Sequence, residues 1–172
     1  MPLHLIIDGY NLLGHLEGFS KNLRDQRTRL LSLLSGYGKS KKFSVCVVFD
    51  GWKEGTLSQH YEIQNGVEVI YSRLGEKADL VICRLIKSLK EKCVVVSSDR
   101  EIIQCAEQNR SVAITVAEFE KKLLSNRDSD FVELSDDDSD ESASRNSGGK
   151  KSGNPRKLSK KKREKQNKLR KL

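Results

Sequence analysis

The chain has 172 residues, 36% of them apolar, with 32 Lys and Arg against 24 Asp and Glu for a formal charge of +8. That content suits one ordinary domain, with no apolar run near the ~20 residues of a bilayer span and no basic-then-apolar export pattern at the amino terminus. Cys46, Cys83, Cys93 and Cys105 lack C-x-x-C spacing and sit in apolar strand or helix patterns, which argues against zinc or a disulfide framework and for buried reduced thiols in a cytoplasmic setting.

The first element is a short apolar run ending in Asp8-Gly9-Tyr10-Asn11. It reads as a buried strand delivering a carboxylate and a carboxamide to its carboxyl end. Asn22 with Asp25 three positions on is a helix start, and Leu23, Leu30, Leu31 and Leu34 share one face, predicting a helix that stops at Gly36 and Gly38. Residues 43–49 are an unbroken β-rich run, typical of a strand covered on both faces, and they lead into Asp50-Gly51. A polar loop is expected over 52–59. Residues 61–63 and 67–71, around Gly66, are weaker strand material and count as one sheet strand.

Ala78, Val81, Ile82, Leu85, Ile86 and Leu89 follow the spacing of a strongly amphipathic helix, with Asp79 in its first turn. Residues 93–96 form the next buried strand. Ser98 and Glu101 then make a capping-box pattern opening a helix through Ile102, Ile103 and Ala106, which places Asp99 at the corner. A last strand over 112–114 meets a second capping box, Thr115 and Glu118, and a helix through Phe119 and Leu123. Alternating strands and helices predict an α/β sandwich with a mostly parallel sheet.

Apolar residues then thin out. Residues 128–141 carry eight acidic residues and no basic one, and 145–172 carry 13 basic residues and one acidic one. Like-charge blocks of this kind build no core, so 1–127 reads as the domain and 128–172 as a disordered acidic-then-basic tail. Lys160, Lys161, Lys162 and Arg163 are its densest cationic run, suited to the phosphates of RNA or a ribosome. Arg24, Arg27 and Arg29 read as a solvated helix face.

In an open parallel sheet the functional crevice lies beyond the carboxyl ends of the strands. Asp8, Asp50 and Asp99 fall at such ends, and Asp79 at a helix start on the same rim. Each Asp alone is an ordinary turn or capping residue. Together they would repel one another unless a cation joined them, and an all-oxygen set without His or Cys favours Mg2+ or Mn2+. Such an ion can orient and activate water for attack on a phosphodiester. Asn11 is placed to orient Asp8 or a water. Ser97 and Ser98 are placed to hydrogen-bond the scissile phosphate or a carboxylate ligand, and Arg100 to meet the phosphate or pair with a neighbouring acid.

The pieces Ile7-Asp8-Gly9-Tyr10-Asn11, Val48-Phe49-Asp50-Gly51, Lys77-Ala78-Asp79 and Val96-Ser97-Ser98-Asp99, in this order, resemble the NYN domain of the YacP-like ribonuclease family. The resemblance covers roughly residues 3–125. It implies a PIN-like (Rossmann-like) three-layer fold and metal-dependent endoribonuclease activity, with Asp8, Asp50, Asp79 and Asp99 matching the family's acidic cluster and Asn11 its associated Asn. One departure stands out. The family often has a second acidic residue after the Ala-Asp pair, where this chain has Leu80. Glu76 is a substitute ligand in that reading, and a catalytically inactive RNA-binding adaptor is the alternative.

Overall fold

The computed structural model describes residues 3–19, 22–51 and 58–132, together with Arg163, Gln166, Asn167 and Arg170, which are helical and exposed. In chain order the elements are β1 His4–Asp8, α1 Gly9–Leu16, α2 Leu23–Lys41, β2 Ser44–Phe49, β3 His60–Gln64, β4 Val67–Tyr71, α3 Ala78–Leu89, β5 Cys93–Val96, α4 Arg100–Gln108, β6 Val112–Ile114 and α5 Val116–Val132. Among the described residues they form a six-stranded sheet in the order β3-β4-β2-β1-β5-β6. Every pairing is parallel except that of β3 with β4.

Strand parity makes the three layers. Leu5, Ile7, Val45, Val47, Phe49, Val94 and Val96 point to one face, where they pack with Leu12 and Leu13 of α1, Leu30, Leu31 and Leu34 of α2, and Phe119 of α5. Ile6, Cys46, Val48 and Val95 point to the other, against Val81, Ile82 and Ile86 of α3 and Ile102 and Ala106 of α4. Both faces of β1, β2 and β5 are therefore apolar, which is why these strands show no polar alternation. From β4 the chain crosses to β5 on the far side of β1, so strand order reverses between β1 and β5. Strand β1 ends at Asp8, and β5 ends at Val96, just before Ser97.

Four expectations change. Helix α1 follows β1 without a loop, a helix the pattern did not announce, because two turns containing Gly9 and Gly14 carry little helical signal. Helix α2 runs through Gly36 and Gly38 and ends at Lys42, which takes the left-handed conformation with φ 57°. A Cβ on Gly38 would lie 2.7 Å from a methyl of Val45, so this glycine serves close helix–sheet packing rather than termination. The material around Gly66 is a hairpin, not one strand. Asn65 and Gly66 both have positive φ, 53° and 83°, as a two-residue turn between antiparallel strands requires. The Ser35 hydroxyl donates to Asn65 O at 2.6 Å and ties this turn to α2. Finally, the cap of α4 is Asp99, not Ser98.

The Thr115 and Glu118 box forms as expected: Thr115 N–H donates to Glu118 Oε2 at 2.8 Å, and Glu118 N–H donates to Thr115 Oγ1 at 3.2 Å. The backbone of α5 runs to Val132, and Lys160, Lys161 and Lys162 lie outside the described residues. The four cysteines are free thiols, Cys46 and Cys93 buried and Cys83 and Cys105 half-buried.

Candidate active site

Three of the four carboxylates on the rim hold the start of a helix. Asp8 ends β1 and caps α1, its Oδ1 accepting from Asn11 N–H at 3.2 Å. Asp50 follows β2 and accepts from Ala78 N–H, the first residue of α3, at 2.7 Å. Asp99 follows β5 and caps α4 through Glu101 N–H, also at 2.7 Å. Each negative charge thus meets the positive end of a helix dipole, and each satisfies an amide that the helix leaves unpaired. Asp79, in the first turn of α3, caps nothing.

Ser97 joins two of them. It is fully buried; its hydroxyl donates to Asp8 Oδ2 at 3.2 Å and accepts from Asp99 N–H at 3.1 Å. Asn11 closes the network differently from expectation. Its backbone N–H, not its carboxamide, holds Asp8, while its side-chain oxygen accepts from Ser98 N–H at 3.3 Å. The Ser98 hydroxyl is directed to the start of α5, accepting from Val116 N–H at 3.4 Å. Arg100 is exposed and makes no ion pair among the described residues.

Burial pushes the Asp8 carboxyl up to about 6, against the lowering effect of Asn11 N–H and the Ser97 hydroxyl, and the nearby Asp79 and Asp50 charges add to the rise. Asp79 is raised by burial first, then by Asp99 and Asp50, with Lys77 opposing. The four carboxylates therefore sense one another across the rim. A divalent cation fits this donor chemistry, all hard oxygen and short of compensating charge. The geometry is open: among the described residues no group of three or more His, Cys, Asp or Glu side chains is gathered tightly enough to hold an ion. Asp79 and the second oxygens of Asp50 and Asp99 make no hydrogen bond among the described residues.

Glu76 does not substitute for the acid missing after Asp79. It is clamped by Arg84 at 2.5 Å and Arg73 at 3.3 Å, which hold its carboxyl below the usual range. Leu80 is 57% exposed on the same turn as Asp79. Arg27 is another correction. It is buried against the rings of Phe49 and Tyr71, its guanidinium carbon 6.0 and 5.6 Å from their centroids, and is no part of a solvated face. Arg29 is exposed and pairs with Glu17 at 2.8 Å. Tyr10 packs edge-on against Phe49, ring centroids 5.0 Å apart.

One positioning residue escaped the sequence reading. Ser72 is fully buried beside Asp50-Gly51; its hydroxyl accepts from Gly51 N–H at 3.0 Å and donates to Glu76 O at 2.7 Å. It fastens the loop bearing Asp50 to the segment entering α3. A lone Ser after a strand carries no signal for that.

A three-layer sandwich with acidic residues at the strand tips of its switch point is a PIN-like α/β domain. The chain belongs to the YacP-like NYN domain family, whose model matches residues 5–171. That match takes in the charged tail as well as the globular part. The family's members are ribonucleases, which supports a role in RNA processing. Rae1 (YacP) from Bacillus subtilis has a similar fold: its crystal structure superposes with a TM-score of 0.61 at 23% identity, covering 77% of this chain and 80% of that one. A mutant of the same protein, with one tryptophan replaced by leucine, gives 0.61 at 21%, covering 75% and 79%. No curated protein matches the chain. No helix among the described residues is long and apolar enough to cross a membrane.

Proposed function

We propose that the chain is a metal-dependent endoribonuclease acting in the cytoplasm. The observation that carries this reading is the buried Asp8 carboxylate at the switch point, joined through the Ser97 hydroxyl to the turn bearing Asp99, with Asp50 and Asp79 near enough to act on it. Asp8, Asp50, Asp79 and Asp99 would hold Mg2+ or Mn2+, which when bound supplies an activated water and offsets charge on the phosphodiester. The protein's own part is positional. Ser97 fixes the Asp8 oxygen and the turn bearing Asp99, and Asn11 holds the Ser98 backbone. Arg100, exposed beside Asp99, supplies a cation for the phosphodiester. Lys160, Lys161, Lys162 and Arg163 anchor the enzyme to RNA or a ribosome through phosphates; the extension of the family match over this region supports a role for it.

Cleavage of labelled single-stranded and structured RNA with Mg2+, Mn2+ or EDTA, by wild type and by Asp8→Asn and Asp99→Asn, tests the reading. Metal-dependent cutting lost in both variants is expected; metal-independent cutting, or cutting retained in both, overturns it. Ser97→Ala is expected to lower the rate about 10–100-fold while the fold persists, because Asp8 loses its orienting hydroxyl. A wild-type rate in that variant would deny Ser97 its positioning role.

The exposed Leu80 beside Asp79, with Glu76 engaged by two arginines, favours a second reading: an RNA-binding adaptor without turnover. Leu80→Asp separates the two. In a working nuclease the added carboxylate should raise the rate at limiting metal on the order of tenfold. In an adaptor neither protein cuts, and RNA binding alone is measured.

A further inference from the structure

A cavity of about 540 Å³ opens on the α2 face of the sheet, between α2 and the edge strand β3. Its walls mix charges and rings. Arg24 and Arg27 come from α2, His60, Glu62 and Gln64 from β3, and Tyr71 from the end of β4. Strand parity explains the grouping. His60, Glu62 and Gln64 pair with Tyr71, Val69 and Val67, and Val69 and Val67 belong to the core under α2.

The place matters as much as the lining. Tyr71 pairs in register with Phe49, the residue before Asp50, so the cavity begins one strand, about 4.8 Å, from the strand that carries a proposed metal ligand.

We propose that this cavity is a nucleotide-binding subsite that seats a guanine base and its phosphate on the RNA strand beside the point of cleavage. The inference rests on the ribonuclease reading above and gives it a base preference. Tyr71 is stacked on Phe49 and covered by the Arg27 guanidinium, and His60 lies beside it, ring centroids 6.1 Å apart and tilted 34°, so that His60 and the Arg27 plane form the wall for a base. Arg24 is exposed and makes no ion pair among the described residues, which leaves its cation for the phosphate. Glu62 reads the base edge. Its Oε1 accepts from Gln64 Nε2 at 2.7 Å and its Oε2 lies 3.9 Å from His60, which orients a carboxylate that still has acceptor capacity. Guanine is the base with two adjacent N–H donors, on N1 and N2, that meet a carboxylate side by side. Uracil meets the same oxygens with an acceptor beside its one donor.

The test is equilibrium binding of short fluorescent oligouridines, with and without one guanosine, to full-length protein in the Asp8→Asn background. The parent is expected to prefer the guanosine strand about tenfold, and Glu62→Gln to bring the two strands within about twofold. Arg24→Ala should weaken both and lower the slope of log affinity against log salt by about 0.7, one phosphate's share. Unchanged preference and slope in both variants, with RNA still bound, would take this cavity off the RNA path and leave the nuclease reading standing. Failure of the parent to bind either strand, with no cutting by wild type, would remove both.

Discussion

Asp8→Asn should abolish cleavage, on the order of 10²–10⁴-fold, while making the metal-free protein harder to melt at neutral pH. Both effects come from one buried charge. In the unfolded chain Asp8 ionises near 3.8, whereas in the folded protein it keeps its proton up to about 6. Below pH 4 both states hold the proton and the group is neutral to folding. Between pH 4 and 6 the unfolded chain gives up the proton while the folded state keeps it, so stability is lost across that window, on the order of 2–3 kcal/mol in all by pH 7. Asn escapes that penalty and still accepts from the Asn11 N–H. Melting curves in EDTA should therefore coincide near pH 4, separate as pH rises to about 6 with the variant higher, and keep a constant gap above that. Mg2+ should raise the wild-type melting temperature and not the variant's, since the ion relieves the same charge. A variant that melts below wild type at pH 7 would show that Asp8 carries no such burden.

Gly51→Ala should do the most structural damage. A Cβ there would lie 1.7 Å from the carbonyl oxygen of Ser72 and 2.9 Å from its carbon. The obstacle is backbone, and it is pinned: Ser72 N–H donates to Phe49 O at 3.0 Å and the Ser72 hydroxyl to Glu76 O at 2.7 Å. Relief requires breaking the β2–β4 pairing at its carboxyl end or moving Asp50 off the start of α3. A loss of roughly 3 kcal/mol is expected, a fall of about 10 °C in melting temperature, together with loss of activity. Calorimetry reads the first and RNA cleavage the second. A wild-type melting temperature would mean that Gly51 and Ser72 do not approach in this way.

The sheet was legible because β1, β2 and β5 are covered on both faces, and burial leaves an apolar run whatever the topology. The amphipathic α3 was legible for the complementary reason, with one stripe buried and the rest wet. Local signals misled where tertiary contacts set the outcome. Gly38 reads as a helix stop only until Val45 is known to press on it. Ser98 and Glu101 match a capping box, yet Asp99 stands one residue nearer and takes the amide. The tips of β1, β2 and β5 located three acids of the rim, but nothing in one dimension shows Ser97 bridging two of them, or Glu76 held by two arginines. Arg27 is the clearest case. Arg24, Thr28 and Arg29 near it on α2 are exposed, and the rings of Phe49 and Tyr71 explain its burial.

That Asp8, Asp50 and Asp99 each begin a helix bears on how such a chain changes over descent. A lineage that stopped cutting RNA would still be held to a helix-capping acceptor, Asp or Asn, at these three positions by the need to fold. Asp79 has no such second duty. Among related chains it is therefore the position whose persistence speaks for chemistry, and its drift to a neutral residue would mark the branches where the enzyme has become a binding protein.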